Sequence, residues 1–302
     1  MKVGLIGLGS MGMGAALNLV AKGHEVHGCE LREVVRAELT AAGGTAVERV
    51  ALLPGDLEIC IVFVVSGAQA EAVLFGPDHV PLRSGAIVLC CTTLAPELAR
   101  SLAARLAEIG VTMLDTPVSG GSTGARGGTM TVMGSGPDAA FARAQPVLDA
   151  IAAKVWRLGE EAGIGSTVKM VNQLLAGVHI ATAAEALALG IRAGADPRTL
   201  FDVISSSAGS SWMWQNRVPH ILAGDDTPHS AVNIFVKDLG IVLDQARALT
   251  FPLPMAAAAH QLFLAAAAAG HGAKDDAFVI RVYEALSGIE LPGAPDHTDP
   301  QA

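Results

Sequence analysis

Three polar side chains lie where packing alone would not ask for them. Lys169, Asn172 and Gln173 belong to the stretch Gly163-Ile164-Gly165-Ser166-Thr167-Val168-Lys169-Met170-Val171-Asn172-Gln173, which opens a long apolar run. On a helix, the spacing i, i+3, i+4 puts the three on one face. A lysine there either reaches water along its stem, or is paired, or has a lowered pKa and moves protons. A second polar stretch is Asp115-Thr116-Pro117-Val118-Ser119-Gly120-Gly121. Ser119 and the backbone N–H groups of Gly120 and Gly121 suit a substrate carboxylate, and an ordinary turn is the plainer reading. A third, Phe235-Val236-Lys237-Asp238-Leu239, holds a Lys-Asp pair that is either a structural ion pair or part of a site.

At the start of the chain, Gly7-Leu8-Gly9-Ser10-Met11-Gly12 reads G-x-G-x-x-G. Alone the pattern is weak, but here it follows a strand and opens a helix, the context that a dinucleotide-binding loop requires. The glycines allow a tight turn and close approach of the backbone to a pyrophosphate, whose charge the helix N-terminus stabilises. The next strand ends in Cys29-Glu30-Leu31-Arg32. Glu30 is placed to bind ribose hydroxyls and to repel a 2′-phosphate, which favours NAD over NADP. Arg32 argues the other way, since an arginine there can accept that phosphate.

Other chemistries are excluded by spacing. His24-Glu25-Val26-His27 is not H-E-x-x-H, and no Ser stands in G-x-S-x-G. His179 and His260 read as packed or surface residues. The four cysteines, Cys29, Cys60, Cys90 and Cys91, lack metal-ligand spacing, so they read as reduced thiols of a cytoplasmic protein without a metal site. A net charge of −9 with no Lys/Arg run argues against nucleic acid as partner. No uninterrupted apolar stretch reaches bilayer length, and the glycines of residues 4–14 speak against a signal peptide.

These residues must be held by a scaffold, and hydrophobic patterning supplies one. Strands are expected at residues 3–6, 25–29, 57–65 (ending on Val65), 86–91, 111–114, 129–133 and 154–158. Helices are expected from the glycine loop to about Lys22 and at 33–42 and 97–109. The run 57–65 is apolar but for Glu58 and rich in β-branched residues, which marks a strand buried on both faces of a mostly parallel sheet. From Gly163 to Arg192 one long helix is expected. It is apolar on nearly every face and so expected to be buried on all sides, and because a single copy would cover it poorly, an oligomer is expected. Helices at 197–207, 212–223, 232–249, 255–269 and 274–287 complete an all-α half. The expected division is an α/β half at 1–162, an all-α half at 163–290 and a tail at 291–302, with mobility expected from 288 on.

The motifs taken together resemble those of the β-hydroxyacid dehydrogenase family, which includes 3-hydroxyisobutyrate dehydrogenase and tartronate semialdehyde reductase. The resemblance runs through the Gly-rich loop, Asp115 to Gly121, Gly163 to Gln173, and Lys237 to Ala246, and covers residues 1 to about 290. It implies a Rossmann domain that binds NAD, a long interdomain helix, and an all-α domain that forms a homodimer or homotetramer. It implies Lys169 as acid/base assisted by Gln173 and Ser119, with Ser119, Gly120 and Gly121 on the substrate carboxylate and Lys169, Asn172 and Gln173 also binding the substrate. It also implies that Thr93 and Lys237 lie near the nicotinamide end of the cofactor. There are departures: relatives usually carry Asn where Gln173 stands, and apolar side chains where His229 and Ser230 stand. These departures, with Leu174 to Ala181 and Ser211 to Met213, resemble a subgroup that oxidises the four-carbon acid L-threonate. Short semialdehyde acids and 3-hydroxyisobutyrate are the competing substrates, and a catalytically silent dinucleotide-binding module is the competing class.

Overall fold

The computed structural model describes residues 1–292. The chain forms two compact units that divide between Met170 and Val171, inside one long helix.

In the first unit, strands β1 (Lys2–Ile6), β2 (Glu25–Cys29), β3 (Thr45–Val47), β4 (Ile59–Val62), β5 (Ile87–Cys90) and β6 (Thr112–Asp115) form a parallel sheet in the order β3-β2-β1-β4-β5-β6. Helices α1 (Ser10–Ala21), α2 (Glu33–Ala41), α3 (Gly67–Phe75) and α4 (Pro96–Glu108) follow strands of this sheet. The uniform apolarity of β4 has its cause here. Ile59 and Ile61 join one buried cluster with Leu5, Leu19, Leu89 and Phe141, while Cys60 and Val62 join another with Val88, Leu102 and Leu106. Successive side chains point to opposite faces, so both faces of the sheet are covered. Each fully buried Ile or Leu contributes about 1.5–3 kcal/mol of hydrophobic stabilisation.

After β6 come β7 (Val118–Ser119), α5 (Gly121–Arg126), β8 (Met130–Gly134), α6 (Asp138–Ile151) and β9 (Ala152–Arg157). Strands β7, β8 and β9 make a small mixed sheet, antiparallel between β7 and β8 and parallel between β8 and β9. The elements β3, β7, α3, α5 and α6 were not expected from patterning. β3 and β7 are only three and two residues long, too short for a period to register. α6 carries Pro146 in its interior, a residue that reads as a helix breaker.

Helix α7 (Ile164–Arg192) is the long helix; it is long and apolar enough to cross a membrane by length and composition only, a test that core helices also pass. Its apolarity predicts burial on all sides, and the structure departs from that. Val168, Val171, Leu175 and Leu189 are 38–69% exposed. Their spacing puts them on one stripe, which the folded chain leaves uncovered. The second unit continues with α8 (Pro197–Ser205), α9 (Trp212–Ala223), α10 (Val232–Ala248), α11 (Pro254–Ala266) and α12 (Arg281–Ser287). The expected helix 255–269 gives way to a π-type turn at Ala267–His271, where Gly270 has φ +91°, and a 3₁₀ turn at Asp276–Ile280 precedes α12. The mobility expected from residue 288 does not extend to Ile289 and Leu291, which are buried. The rest of the expected tail, 293–302, lies outside the described residues.

Candidate active site

Because the strands of the large sheet are parallel, their carboxyl ends share one edge. Gly7 follows β1, Glu30 and Leu31 follow β2, Val65 lies just beyond β4, Thr93 just beyond β5, and Asp115 ends β6. The chain order reverses between β1 and β4, and such a switch point is where open α/β sheets bind ligands. The fold thus gathers the expected cofactor residues Gly7, Leu8, Gly9, Ser10, Met11, Gly12, Glu30, Leu31, Val65 and Thr93 on this edge. Lys237 belongs to the second unit, on α10.

The glycine loop is built to receive an anion. Gly7 has φ +90°, and a Cβ on Gly12 would lie 1.9 Å from the Gly7 carbonyl oxygen, so both glycines are required by the turn itself. A Cβ on Gly9 would meet no protein atom within 4 Å. That opening lies at the start of α1, which has no side-chain cap and no acidic residue in its first turn. A pyrophosphate fits this arrangement, since the helix-start N–H groups need an acceptor and no carboxylate repels one. Glu30 is engaged by Arg32, whose Nε donates to Oε1 (3.0 Å) and Nη2 to Oε2 (3.2 Å). This bonding holds the Glu30 carboxyl below the usual carboxylate range against partial burial. Leu31 and Val65, beyond the strands that flank β1, are exposed apolar side chains.

Ser119 ends β7, and Gly120 and Gly121 follow with φ +136° and +62° at the start of α5. Lys169 lies in the second turn of α7 and is buried, at 7% exposure. Ser119, Gly120, Gly121 and Lys169 all belong to the first unit. One turn beyond Lys169, Gln173 is equally buried. Its Nε2 donates to Asp238 Oδ2 (2.6 Å), and its Oε1 accepts from Asn172 Nδ2 (3.0 Å). The Lys237 ammonium lies 2.6 Å from Asp238 Oδ1. The Lys-Asp pair is therefore an ion pair and also a support for Gln173. His229 is tied by its N–H to Asp275 Oδ2 (2.9 Å), and its ring lies 4.6 Å from that of His220. The Ser230 carbonyl accepts from the Asp276 N–H (2.7 Å). His260 bonds the Val236 carbonyl through Nε2 (2.9 Å), the packed role expected of it.

Patterning did not single out Asp115 beyond its place in a loop. The structure makes it a buried carboxylate at 0% exposure that accepts from the start of α7. Burial pushes its carboxyl up, opposed by the Ser166 hydroxyl and by the Ser166 and Gly163 N–H groups, which favour the anion. The signal was a charged residue directly after the buried pair Met113 and Leu114, at the end of a strand. Asp238 is a second such case, visible in sequence only as the neighbour of Lys237.

Residues 2–159 match the NAD binding domain of 6-phosphogluconate dehydrogenase, and residues 163–283 match the NAD-binding domain described for NADP-dependent 3-hydroxyisobutyrate dehydrogenase. The chain is 54% identical to the L-threonate dehydrogenase of Cupriavidus necator, over 96% of this chain and 98% of that one. It is 50% identical to the L-threonate dehydrogenase of Escherichia coli (strain K12), over 97% of each. A crystal structure titled 3-hydroxyisobutyrate dehydrogenase from Salmonella typhimurium superposes with a TM-score of 0.88 at 47% identity, covering 93% of this chain and 99% of that one. With its dinucleotide loop on the carboxyl edge of a parallel sheet and its buried lysine at the head of the long helix, the chain belongs to the 3-hydroxyisobutyrate dehydrogenase-related family of β-hydroxyacid dehydrogenases.

Proposed function

We propose that the protein oxidises L-threonate at C2 to the 2-oxo acid, with NAD as hydride acceptor. The observation that carries the chemistry is Lys169, a lysine buried in the unit that also holds the glycine loop and the Ser119–Gly121 cradle. The substrate class is supported by near-full-length identity of about half to relatives named for L-threonate. Ser119 and the backbone of Gly120 and Gly121 hold the substrate carboxylate. Lys169, as the neutral amine, takes the proton of the reacting hydroxyl, and in the reverse direction its ammonium returns it. Gln173, oriented by Asn172 and Asp238, steadies the hydroxyl from the next turn of the helix. A nicotinamide held at the carboxyl edge of the large sheet would supply the acceptor for the hydride lost from the same carbon. Lys169 balances the charge that develops on oxygen, so the step runs without a metal.

Glu30 supports NAD over NADP. The uncovered stripe Val168, Val171, Leu175 and Leu189 supports a homodimer or homotetramer, since exposed apolar surface of this kind is normally an interface. Four buried free thiols support a reducing, cytoplasmic setting.

The test is NADH formation by the purified protein from L-threonate, D-threonate, D-erythronate, L-serine, D-glycerate and 3-hydroxyisobutyrate, each with NAD and with NADP. Turnover of L-threonate with NAD is expected, and product trapping is expected to find the 2-oxo acid. Release of CO2 would move the oxidation to C3. Activity confined to glycerate or 3-hydroxyisobutyrate would overturn the substrate while leaving the lysine chemistry in place. Dinucleotide binding without turnover of any acid would point to a silent module.

A further inference from the structure

We propose that Asp115 is a positioning residue for this reaction: a single buried carboxylate that sets Lys169 against the loop holding the substrate carboxylate. The inference rests on the function proposed above. Asp115 closes β6 and begins the segment that runs on to Ser119, Gly120 and Gly121. Its Oδ2 accepts from the N–H groups of Gly163 (2.9 Å) and Ser166 (2.8 Å), and its Oδ1 from the Ser166 hydroxyl (2.7 Å). The Gly165 N–H donates to Ser135 Oγ (3.0 Å). Ser135 in turn exchanges both backbone hydrogen bonds with Asp115, each 2.9 Å long.

The N–H groups at the start of a helix have no partner within the helix and need one from elsewhere. In α7 that partner is not the preceding loop. It is a residue of the large sheet, acting together with Ser135 from the end of β8. Two degrees of freedom are fixed by this arrangement. Rotation about the helix axis is fixed because Ser166 is held through both its N–H and its hydroxyl. Approach to the sheets is fixed at Gly165, where a Cβ would lie 2.4 Å from the Met133 carbonyl oxygen and 2.7 Å from that of Asp115. Lys169 follows Ser166 by three residues, one turn along the same face, so the lock on Ser166 sets the direction in which Lys169 leaves the helix. The same carboxylate thus fixes the base at one end and anchors the substrate loop at the other. Its charge matters as well as its shape: the anion complements the helix dipole, whereas an amide would turn an N–H2 group toward N–H and O–H donors.

The experiment compares Asp115→Asn and Ser166→Ala with the wild type. It reads dinucleotide binding, kcat, and the isotope effect on kcat with L-threonate deuterated at C2. For folded Asp115→Asn, dinucleotide affinity is expected to stay the same. kcat should fall by about 10²-fold, the cost of a small misplacement of reacting groups. The isotope effect should rise as hydride transfer becomes limiting. A smaller folded fraction would lower kcat and leave the isotope effect where it was. Ser166→Ala, which removes one donor and keeps the charge, should show the same changes to a lesser degree, and it carries the test if Asp115→Asn does not fold. Wild-type kcat and isotope effect in a folded Asp115→Asn, or in Ser166→Ala where the first does not fold, would overturn the inference. An inactive wild type would overturn the proposed function and this inference with it, whereas an active wild type with unaffected variants would sink this inference alone.

Discussion

Arg32 grips the Glu30 carboxylate from two sides of its guanidinium, Nε on Oε1 at 3.0 Å and Nη2 on Oε2 at 3.2 Å. The acid that should receive the ribose hydroxyls is therefore held ionised and oriented by the cation that could otherwise receive a 2′-phosphate. Removing the acid frees the cation. Glu30→Ala is expected to weaken NAD binding by about tenfold or more, roughly 1.4 kcal/mol, and to tighten NADP binding, with kcat little changed. Titrating both dinucleotides by fluorescence checks this, and an unmoved NAD/NADP ratio would remove Glu30 from cofactor selection.

Gly9 and Gly12 should separate binding from folding. A methyl group at Gly9 meets no protein atom, so Gly9→Ala is expected to fold with unchanged thermal stability and to lose dinucleotide affinity. At Gly12 a methyl would lie 1.9 Å from the Gly7 carbonyl oxygen, so Gly12→Ala should lower the unfolding temperature itself. Tight dinucleotide binding by Gly9→Ala would place the pyrophosphate elsewhere.

Lys169 should be needed for turnover and not for cofactor binding. Lys169→Ala is expected to lose about 10²–10⁴-fold in kcat, the usual range for a general acid/base. Lys169→Arg should be nearly as poor, because a guanidinium keeps its proton. Steady-state rates set beside dinucleotide titrations would decide it, and near wild-type kcat in either variant would end the proposed mechanism.

Acid should loosen the second unit through Asp275. Burial pushes this carboxyl up, but the His220 ring and the N–H groups of His229 and Ala277 outweigh it, and the folded value lies below the ordinary one. A depressed folded pKa adds stability that is present above the unfolded value, about 4, and is lost as pH falls through the folded value. Asp275→Asn should therefore be less stable than wild type at neutral pH, with the gap closing below about pH 4. Thermal melts across that range test it, and a gap that stayed constant with pH would assign the loss to packing.

Much of this was legible in the residues themselves. The alternation of Ile59, Cys60, Ile61 and Val62 between two cores is written as an unbroken apolar run, and the glycine loop announces its turn. Lys169 was visible because it interrupts an apolar face. What patterning missed are relationships across the sequence. Asp115 and Ser166 are 51 residues apart, and Gln173 and Asp238 are 65 apart. No local period encodes such pairs, and a single polar letter among apolar ones does not name its partner. Poor cover of α7 by a single copy was legible in its apolarity, but which residues form the uncovered stripe was not, because apolarity on nearly every face does not say which face the rest of the chain will cover.

The four cysteines have a practical consequence. All are buried in or beside the sheet. Burial pushes their thiols up, Cys29 to about 11 and Cys60 and Cys91 to about 12, with Cys90 raised as well. Since thiolate is the reactive form, maleimides and mild peroxide should leave the folded protein untouched. A single cysteine introduced on the surface would then be alone in taking a fluorophore or a spin label, so the mobility and polarity around that one site could be followed as substrate binds without first stripping out the native thiols.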